Sequence, residues 1–252
     1  MIATSTTGMT ETIEQAVAAL DFDRVSKEYW EQNEFVCLPQ FLPASVMEES
    51  LLPSVKKLKA HINRNYIPGH KKGGSVSYYT VREQAAVFLE LYRSPAFIDF
   101  LSRLVGARLM LCPENDPHAC ALYYYTEPGD HIGFHYDTSY YKGARYTVLM
   151  GLVDRSPSCR LVCQLYKDDP QRAMKELELA TEPGTVVIFN GDKLWHAVTP
   201  LGAGEERAVL TLEYVTNQDM GRINRLYSNL KDAFGYFGLK ALLPKRGKGV
   251  KG

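Results

Sequence analysis

Between residues 108 and 216 the chain is written in short runs of β-branched and aromatic residues, each cut by a turn signal, with no helical periodicity between them. Eight such runs fall at 108–112, 119–126, 132–136, 145–153, 160–166, 185–189, 196–199 and 207–215. The turns are Glu127-Pro128-Gly129-Asp130, Pro183-Gly184, Asn190-Gly191-Asp192 and Gly202-Ala203-Gly204. Strands this short and this close together bury their apolar faces only by folding into two facing sheets. The pattern predicts a mainly β chain with flanking helices, on a double-stranded β-helix (jelly-roll) core.

The flanks read differently. Residues 22–32 form a short amphipathic segment, and 35–38 a brief strand ended by Pro39. Apolar residues at helical spacing run from 44 to 65, with Pro53 expected to kink or restart the helix. A Gly/Lys-rich loop is expected at 68–75, then helices at 81–91 and 96–105, the second stopped by Gly106. Helical spacing returns at 224–243, expected to pack beside the barrel. With no internal repeat or low-complexity linker, one domain is expected over 1–252. Its parts are a mostly helical stretch (1–107), the jelly-roll core (108–217), and a helical segment with a basic tail (218–252).

Composition narrows the partners. Lys plus Arg balances Asp plus Glu at 29 each, which gives no reason to expect nucleic acid or an anionic membrane. Lys245, Arg246, Lys248 and Lys251 read as a solvated terminus. The cysteines, Cys37, Cys112, Cys120, Cys159 and Cys163, are odd in number and mostly embedded in apolar runs, as expected of reduced thiols. Cys159 and Cys163 have no second pair with which to hold zinc. No signal-peptide pattern opens the sequence and no run reaches membrane-span length, so a soluble, cytoplasmic protein is expected.

Within the β region, His135 and Asp137 are two apart and share one face of a strand, while Tyr136 points away. His196 lies on a different strand that a closed sheet can bring alongside. Two imidazoles and a carboxylate suit a facial Fe(II) site with open positions. Arg207 follows as a permanently charged fork that fits a carboxylate. A lone His-x-Asp is weak evidence. His131, four before His135, would face the same side as a contact or a rim residue.

The downstream phrase, from Gly184-Thr-Val-Val-Ile-Phe-Asn through Trp195-His196-Ala-Val-Thr-Pro200 to Gly204-Glu-Glu-Arg207, adds specificity. With the Tyr125-x-x-x-Gly129 lead-in, it resembles the Fe(II)/2-oxoglutarate-dependent dioxygenase superfamily, in its prolyl-hydroxylase-like and small-molecule hydroxylase branches. The resemblance runs from about Tyr123 to Tyr214 and, more loosely, takes in the Glu34-Phe35-Val36 strand. It implies His135, Asp137 and His196 as iron ligands and Arg207 as partner of the far carboxylate of 2-oxoglutarate. The cofactors implied are Fe(II), 2-oxoglutarate and O₂, with ascorbate helpful in vitro. A hydroxyl often stands two residues after the arginine; Val209 stands there in this chain, and Tyr123, Tyr125 or Thr147 could replace the contact.

The chemistry implied is hydroxylation of a C–H bond with release of succinate and CO₂. Related halogenases carry Gly or Ala in place of the triad carboxylate, so Asp137 favours hydroxylation. Alternation from Arg207 puts Val209, Thr211 and Glu213 on one face, with Glu213 either meeting an ammonium group or sitting at the barrel rim. His131, Thr138 and Trp195 are further substrate candidates, with Asp130 beside them. The stretch 228–238 is similar to small enzymes acting on free amino acids, including lysine-type hydroxylases and their halogenase cousins. The rivals are a protein or peptide side-chain hydroxylase and a non-catalytic jelly-roll binding module.

Overall fold

The computed structural model describes residues 8–137 and 139–219. Helices α1 (Met9–Ala18) and α2 (Phe22–Glu31) precede strand β1 (Phe35–Leu38). Next come α3 (Ala44–Val46), a π turn (Met47–Leu51) and α4 (Leu52–Leu58), with Pro53 in the first turn of α4. Proline has no N–H to give to the preceding turn, and the widened turn there fits the expected restart. Strands β2 (Asn63–Ile67) and β3 (Lys71–Val76) follow, then α5 (Tyr78–Gln84), α6 (Ala86–Tyr92) and α7 (Pro95–Val105). Gly106 caps α7 with φ of 69°, the left-handed position that glycine occupies without cost.

The remaining strands are β4 (Met110–Leu111), β5 (Cys120–Tyr125), β6 (His131–His135), β7 (Arg145–Arg155), β8 (Leu161–Leu165), β9 (Lys175–Leu179), β10 (Val186–Asn190), β11 (Trp195–Val198) and β12 (Glu206–Val215). All pairings are antiparallel, in the order β1-β10-β7-β12-β5-β3-β6-β11-β8-β9, with β2 beside β3 and β4 beside β12. The sheet curls on itself into the expected jelly roll.

Two apolar clusters follow from strand alternation. On β12, Ala208, Leu210, Leu212 and Tyr214 face outward and pack with Phe88 of α6, Phe97 of α7 and Leu51 of the π turn. Val209, on the other face, joins Phe35, Leu149, Leu161, Val187 and Phe189 inside the roll. Covered on both sides, β12 is buried from Arg207 to Val215, and its buried polar residues Arg207, Thr211 and Glu213 all share the inner face. Tyr92 locks the helices to it: its hydroxyl donates to the Glu213 carbonyl (3.0 Å) and accepts from the Cys112 amide (2.9 Å). Tyr92→Phe leaves these buried backbone groups short of a partner and is expected to cost about 1–3 kcal/mol, read by urea denaturation.

Several sequence expectations need correction. Helix was expected to run to 65 and a loop to fill 68–75, but 63–67 and 71–76 pair as a hairpin. Gly74 in it serves close packing: a Cβ there would lie 2.5 Å from the Ile62 side chain. The helix expected at 81–91 breaks at Ala85, which is extended at φ −149°. Helix α1 and strand β9 were not anticipated. The expected helix at 224–243, the stretch 228–238 and the basic tail lie outside the described residues. The five cysteines are free thiols, as expected. Among the described residues no helix is long and apolar enough to cross a membrane.

Candidate functional site

His135 ends β6 and His196 lies on β11; the two are cross-strand partners with ring centroids 4.3 Å apart. His135 Nε2 stands 3.4 Å from Asp137 Oδ1, and His196 Nε2 stands 3.7 Å from Asp137 Oδ2. One ligand atom from each of the three lies within 4.8 Å of the others, so the group could hold a metal ion. Both rings are also pre-oriented. Nδ1 of His135 meets the Gly133 carbonyl at 2.8 Å, and Nδ1 of His196 meets the Leu194 carbonyl at 3.1 Å. A carbonyl only accepts, so Nδ1 carries the proton and each Nε2 keeps its lone pair for a metal. Burial, then the neighbouring His135, pushes His196 down to about 4, leaving it neutral at pH 7. Burial alone would raise Asp137, but the two imidazoles and Arg145 outweigh it and hold the carboxyl far below the usual range.

A bulge in β6 sets this geometry. His196 pairs with His135 but Val198 pairs with Ile132, so β6 carries one extra residue. The extra residue flips the alternation, and Ile132 and His135 both line the cavity. His131, expected on the same face as His135, therefore turns away and bonds the Gly129 carbonyl through Nδ1 (2.8 Å). At the bulge the Gly133 amide donates to the His70 carbonyl (2.6 Å).

Asp137 is gripped from the turn after β10. A Cβ on Gly191 would lie 2.6 Å from the Asp137 carbonyl oxygen and 2.9 Å from its Cβ, and Asp192 Oδ1 accepts the Ser139 amide (2.9 Å). Gly191→Ala must therefore push Asp137 out of line. A fall in Fe(II) affinity on the order of tenfold is expected, the scale of changes just outside a metal's ligands, measured by titration under anaerobic conditions.

Arg207 is fully buried. Its Nε donates to Thr181 Oγ1 (3.0 Å), and its guanidinium lies 5.0 Å over the Tyr125 ring. Nη1 and Nη2 have no hydrogen-bond partner among the described residues. A buried charge with two idle donors is costly unless an anion completes it. On the same strand face, Val209, Thr211 and Glu213 line a cavity of about 100 Å³ that also receives His135, Asp137 and His196.

The other predicted residues separate cleanly. Tyr123, Tyr125, Thr147, Thr211 and Glu213 line the cavity. Glu213, thought able to sit at the rim, is buried at its wall, where Oε2 accepts from Arg145 Nε (2.9 Å) and lies 3.0 Å from Thr147 Oγ1. Burial raises its carboxyl above the usual range. Thr147 Oγ1 also lies 3.0 Å from Asp137 Oδ2, so it serves that carboxylate. Trp195 stacks on Phe134 on the outer face, ring centroids 6.1 Å apart, with Lys167 over it. Tyr136, expected to point away, edges the cavity and donates to Asp168. Asp130 is a structural lock, receiving Arg64 at 2.8 and 2.6 Å and the Thr126 and Glu127 amides. Thr138 lies outside the described residues.

Sequence reading missed His118 and Arg145 in the cavity wall. His118 Nδ1 meets the Tyr123 hydroxyl at 2.8 Å. Arg145 was within reach, since it shares the inner face of β7 with Thr147 two residues on. Behind it, Asp116 stands 3.8 Å from Arg145 Nη1 and accepts the Tyr141 hydroxyl at 2.8 Å.

Residues 19–148 match the family model of Halogenase D, HalD. No curated protein matches the chain. Among solved structures, the epimerase SnoN in complex with Fe3+, alpha ketoglutarate and nogalamycin RO is similar at TM-score 0.63 and 15% identity, over 91% of this chain and 92% of that one. A Trichoplax adhaerens prolyl hydroxylase in complex with a hypoxia inducible factor peptide fragment gives 0.62 and 16%, over 86% and 95%. A Pseudomonas putida prolyl-4-hydroxylase gives 0.54 and 14%, over 79% and 100%. The fold is that of the Fe(II)/2-oxoglutarate oxygenases.

Proposed function

The chain belongs to the Halogenase D family, and on that footing we propose that it is an Fe(II)- and 2-oxoglutarate-dependent oxygenase that hydroxylates a C–H bond of a free amino acid. The observation that carries the reading is a metal-type triad in a cavity whose wall, at Tyr125 and Val209, adjoins a buried and unfinished guanidinium. Three metal-type donors converge in the cavity, and behind Tyr125 the buried Arg207 has two donors with no partner among the described residues. His135, Asp137 and His196 would hold Fe(II), a donor set that suits this ion. Arg207, with Tyr125 stacked on it and Thr181 on its Nε, would hold the far carboxylate of 2-oxoglutarate. When bound, the two supply oxidising power: 2-oxoglutarate and O₂ become succinate and CO₂, and one oxygen atom enters the substrate.

Asp137 supports hydroxylation over halogenation, because halogenases resembling this chain carry Gly or Ala at that position. The cavity wall supports an amino acid. Glu213 on the wall, with Asp116 sharing Arg145 behind it, offers a carboxyl group to an ammonium, and His118 and Tyr123 add hydrogen-bonding capacity. Leu149, Ile132 and Phe189 supply the apolar wall that excludes water and fixes the substrate's carbon chain.

The test is succinate formation from 2-oxoglutarate with Fe(II), ascorbate and O₂ against a panel of free amino acids, with product masses. Turnover stimulated by one amino acid, with a product heavier by one oxygen, is expected. Slow succinate formation that no amino acid stimulates would sink the substrate class. Absence of succinate under every condition would sink the oxygenase.

A further inference from the structure

Thr147 projects from β7 into the cavity wall and is almost wholly buried. Its backbone is fixed on both sides, by Phe189 of β10 and Glu213 of β12. Its hydroxyl stands 3.0 Å from Asp137 Oδ2 and 3.0 Å from Glu213 Oε2. A hydroxyl has one proton and cannot donate to both carboxylates. Glu213 Oε2 already receives Arg145 Nε at 2.9 Å, whereas Asp137 Oδ2 has no other hydrogen-bond donor among the described residues. The proton therefore belongs to Asp137.

Behind Glu213 the string continues. Arg145 Nη1 stands 3.8 Å from Asp116 Oδ2, and Asp116 is held by the Tyr141 hydroxyl (2.8 Å) and the His118 amide (2.8 Å). Thr147, Glu213, Arg145, Asp116 and Tyr141 are each at least nine-tenths buried. Two acids and one arginine taken out of water seldom stabilise a fold better than apolar residues would, so such an array invites a role beyond stability.

Resting on the oxygenase reading, we propose that Thr147 is a positioning residue for the metal carboxylate, and that Glu213, Arg145 and Asp116 form the buried frame that aims its hydroxyl. With the hydroxyl on Oδ2, the carboxylate is held against rotation, and Oδ1 would be the oxygen offered to the metal.

Valine has the shape of threonine without the hydroxyl, and serine keeps the hydroxyl without the methyl. Purified apo protein is titrated anaerobically with Co(II) alone, reading both affinity and the visible ligand-field spectrum. Thr147→Val is expected to weaken Co(II) binding by roughly 10- to 100-fold and to shift the ligand-field bands. Thr147→Ser should restore both. Glu213→Gln should reproduce part of the spectral shift, because the frame loses its hold on Arg145. Unchanged affinity and spectrum in Thr147→Val would overturn the proposal while leaving the oxygenase reading intact. Should Thr147→Val fail to fold, Thr147→Ala against Thr147→Ser makes the same comparison, and equal spectra would overturn it. A wild-type protein that binds no Co(II) would overturn the metal site itself.

Discussion

Arg207→Met is expected to raise the concentration of 2-oxoglutarate needed for half-maximal turnover by roughly 100- to 10,000-fold, while making the protein without ligand no less stable. The first effect follows from two charge-assisted hydrogen bonds at about 1.5–3 kcal/mol each, against about 1.4 kcal/mol per tenfold in affinity. The second follows from burial. Without an anion, Nη1 and Nη2 are solvated by nothing among the described residues. Replacing an uncompensated buried charge with an apolar chain of similar length is commonly neutral or stabilising. Thermal unfolding checks the sign: each kcal/mol gained should lift Tm by roughly 2–4 °C in a chain of this size. Wild-type protein should gain about 2.7 kcal/mol of stability from 2-oxoglutarate at 100 times its Kd, and the variant should gain less than about 0.5 kcal/mol at the same concentration. A variant that loses Tm and keeps its affinity would mean that Arg207 is only a packing residue.

Asp137→Ala is expected to abolish hydroxylation and to weaken Fe(II) binding by more than the roughly 10- to 100-fold typical of residues just outside a metal's ligands. The reason is specific to this site. The other two ligands are neutral imidazoles with Nδ1 committed to backbone carbonyls, so Asp137 is the only anion among the three. Its loss leaves the Thr147 hydroxyl facing a void. The fold should survive, since the Asp137 carboxylate is partly exposed and its hydrogen bond goes to a side chain that can turn to Glu213. Anaerobic Fe(II) titration beside circular dichroism separates the two outcomes. Turnover in Asp137→Ala at a tenth of the wild-type rate or more would remove the carboxylate from the metal site.

The strands of the core were legible where the sheet obeys simple alternation, and β12 was read to within one residue of its observed bounds. Three features were not legible, each for a physical reason. The β2–β3 hairpin hides behind Gly73 and Gly74, which look like loop residues, although Gly74 is demanded by the approach of Ile62. The bulge at Gly133 inverts the side of His131, and no periodicity announces an extra residue in a strand. The ion pairing of Glu213 with Arg145 joins residues 68 apart in sequence, and spacing cannot foretell a partner on a neighbouring strand. The metal-type triad escaped these difficulties because His135 and Asp137 are only two apart and the bulge lies before them.

Strand β3 has a consequence for how the molecule must assemble. It touches β5 through Gly74–Tyr124 and β6 through Lys71–Ile132, and so stitches one half of the roll to the other. The strand that ends in His135 therefore hangs on a hairpin from the chain's first third. Likewise Phe35 on β1 must find Phe189 on β10, across most of the chain, before Glu34 can accept the Asn190 side chain. Such distant closures are slow to form. The metal pocket is thus a late product of folding, and a fragment beginning at residue 108 would expose raw edges on β5 and β6 and tend to aggregate rather than chelate. Chelating power becomes a readout of completed folding: during refolding, metal capture should lag behind the gain of strand signal.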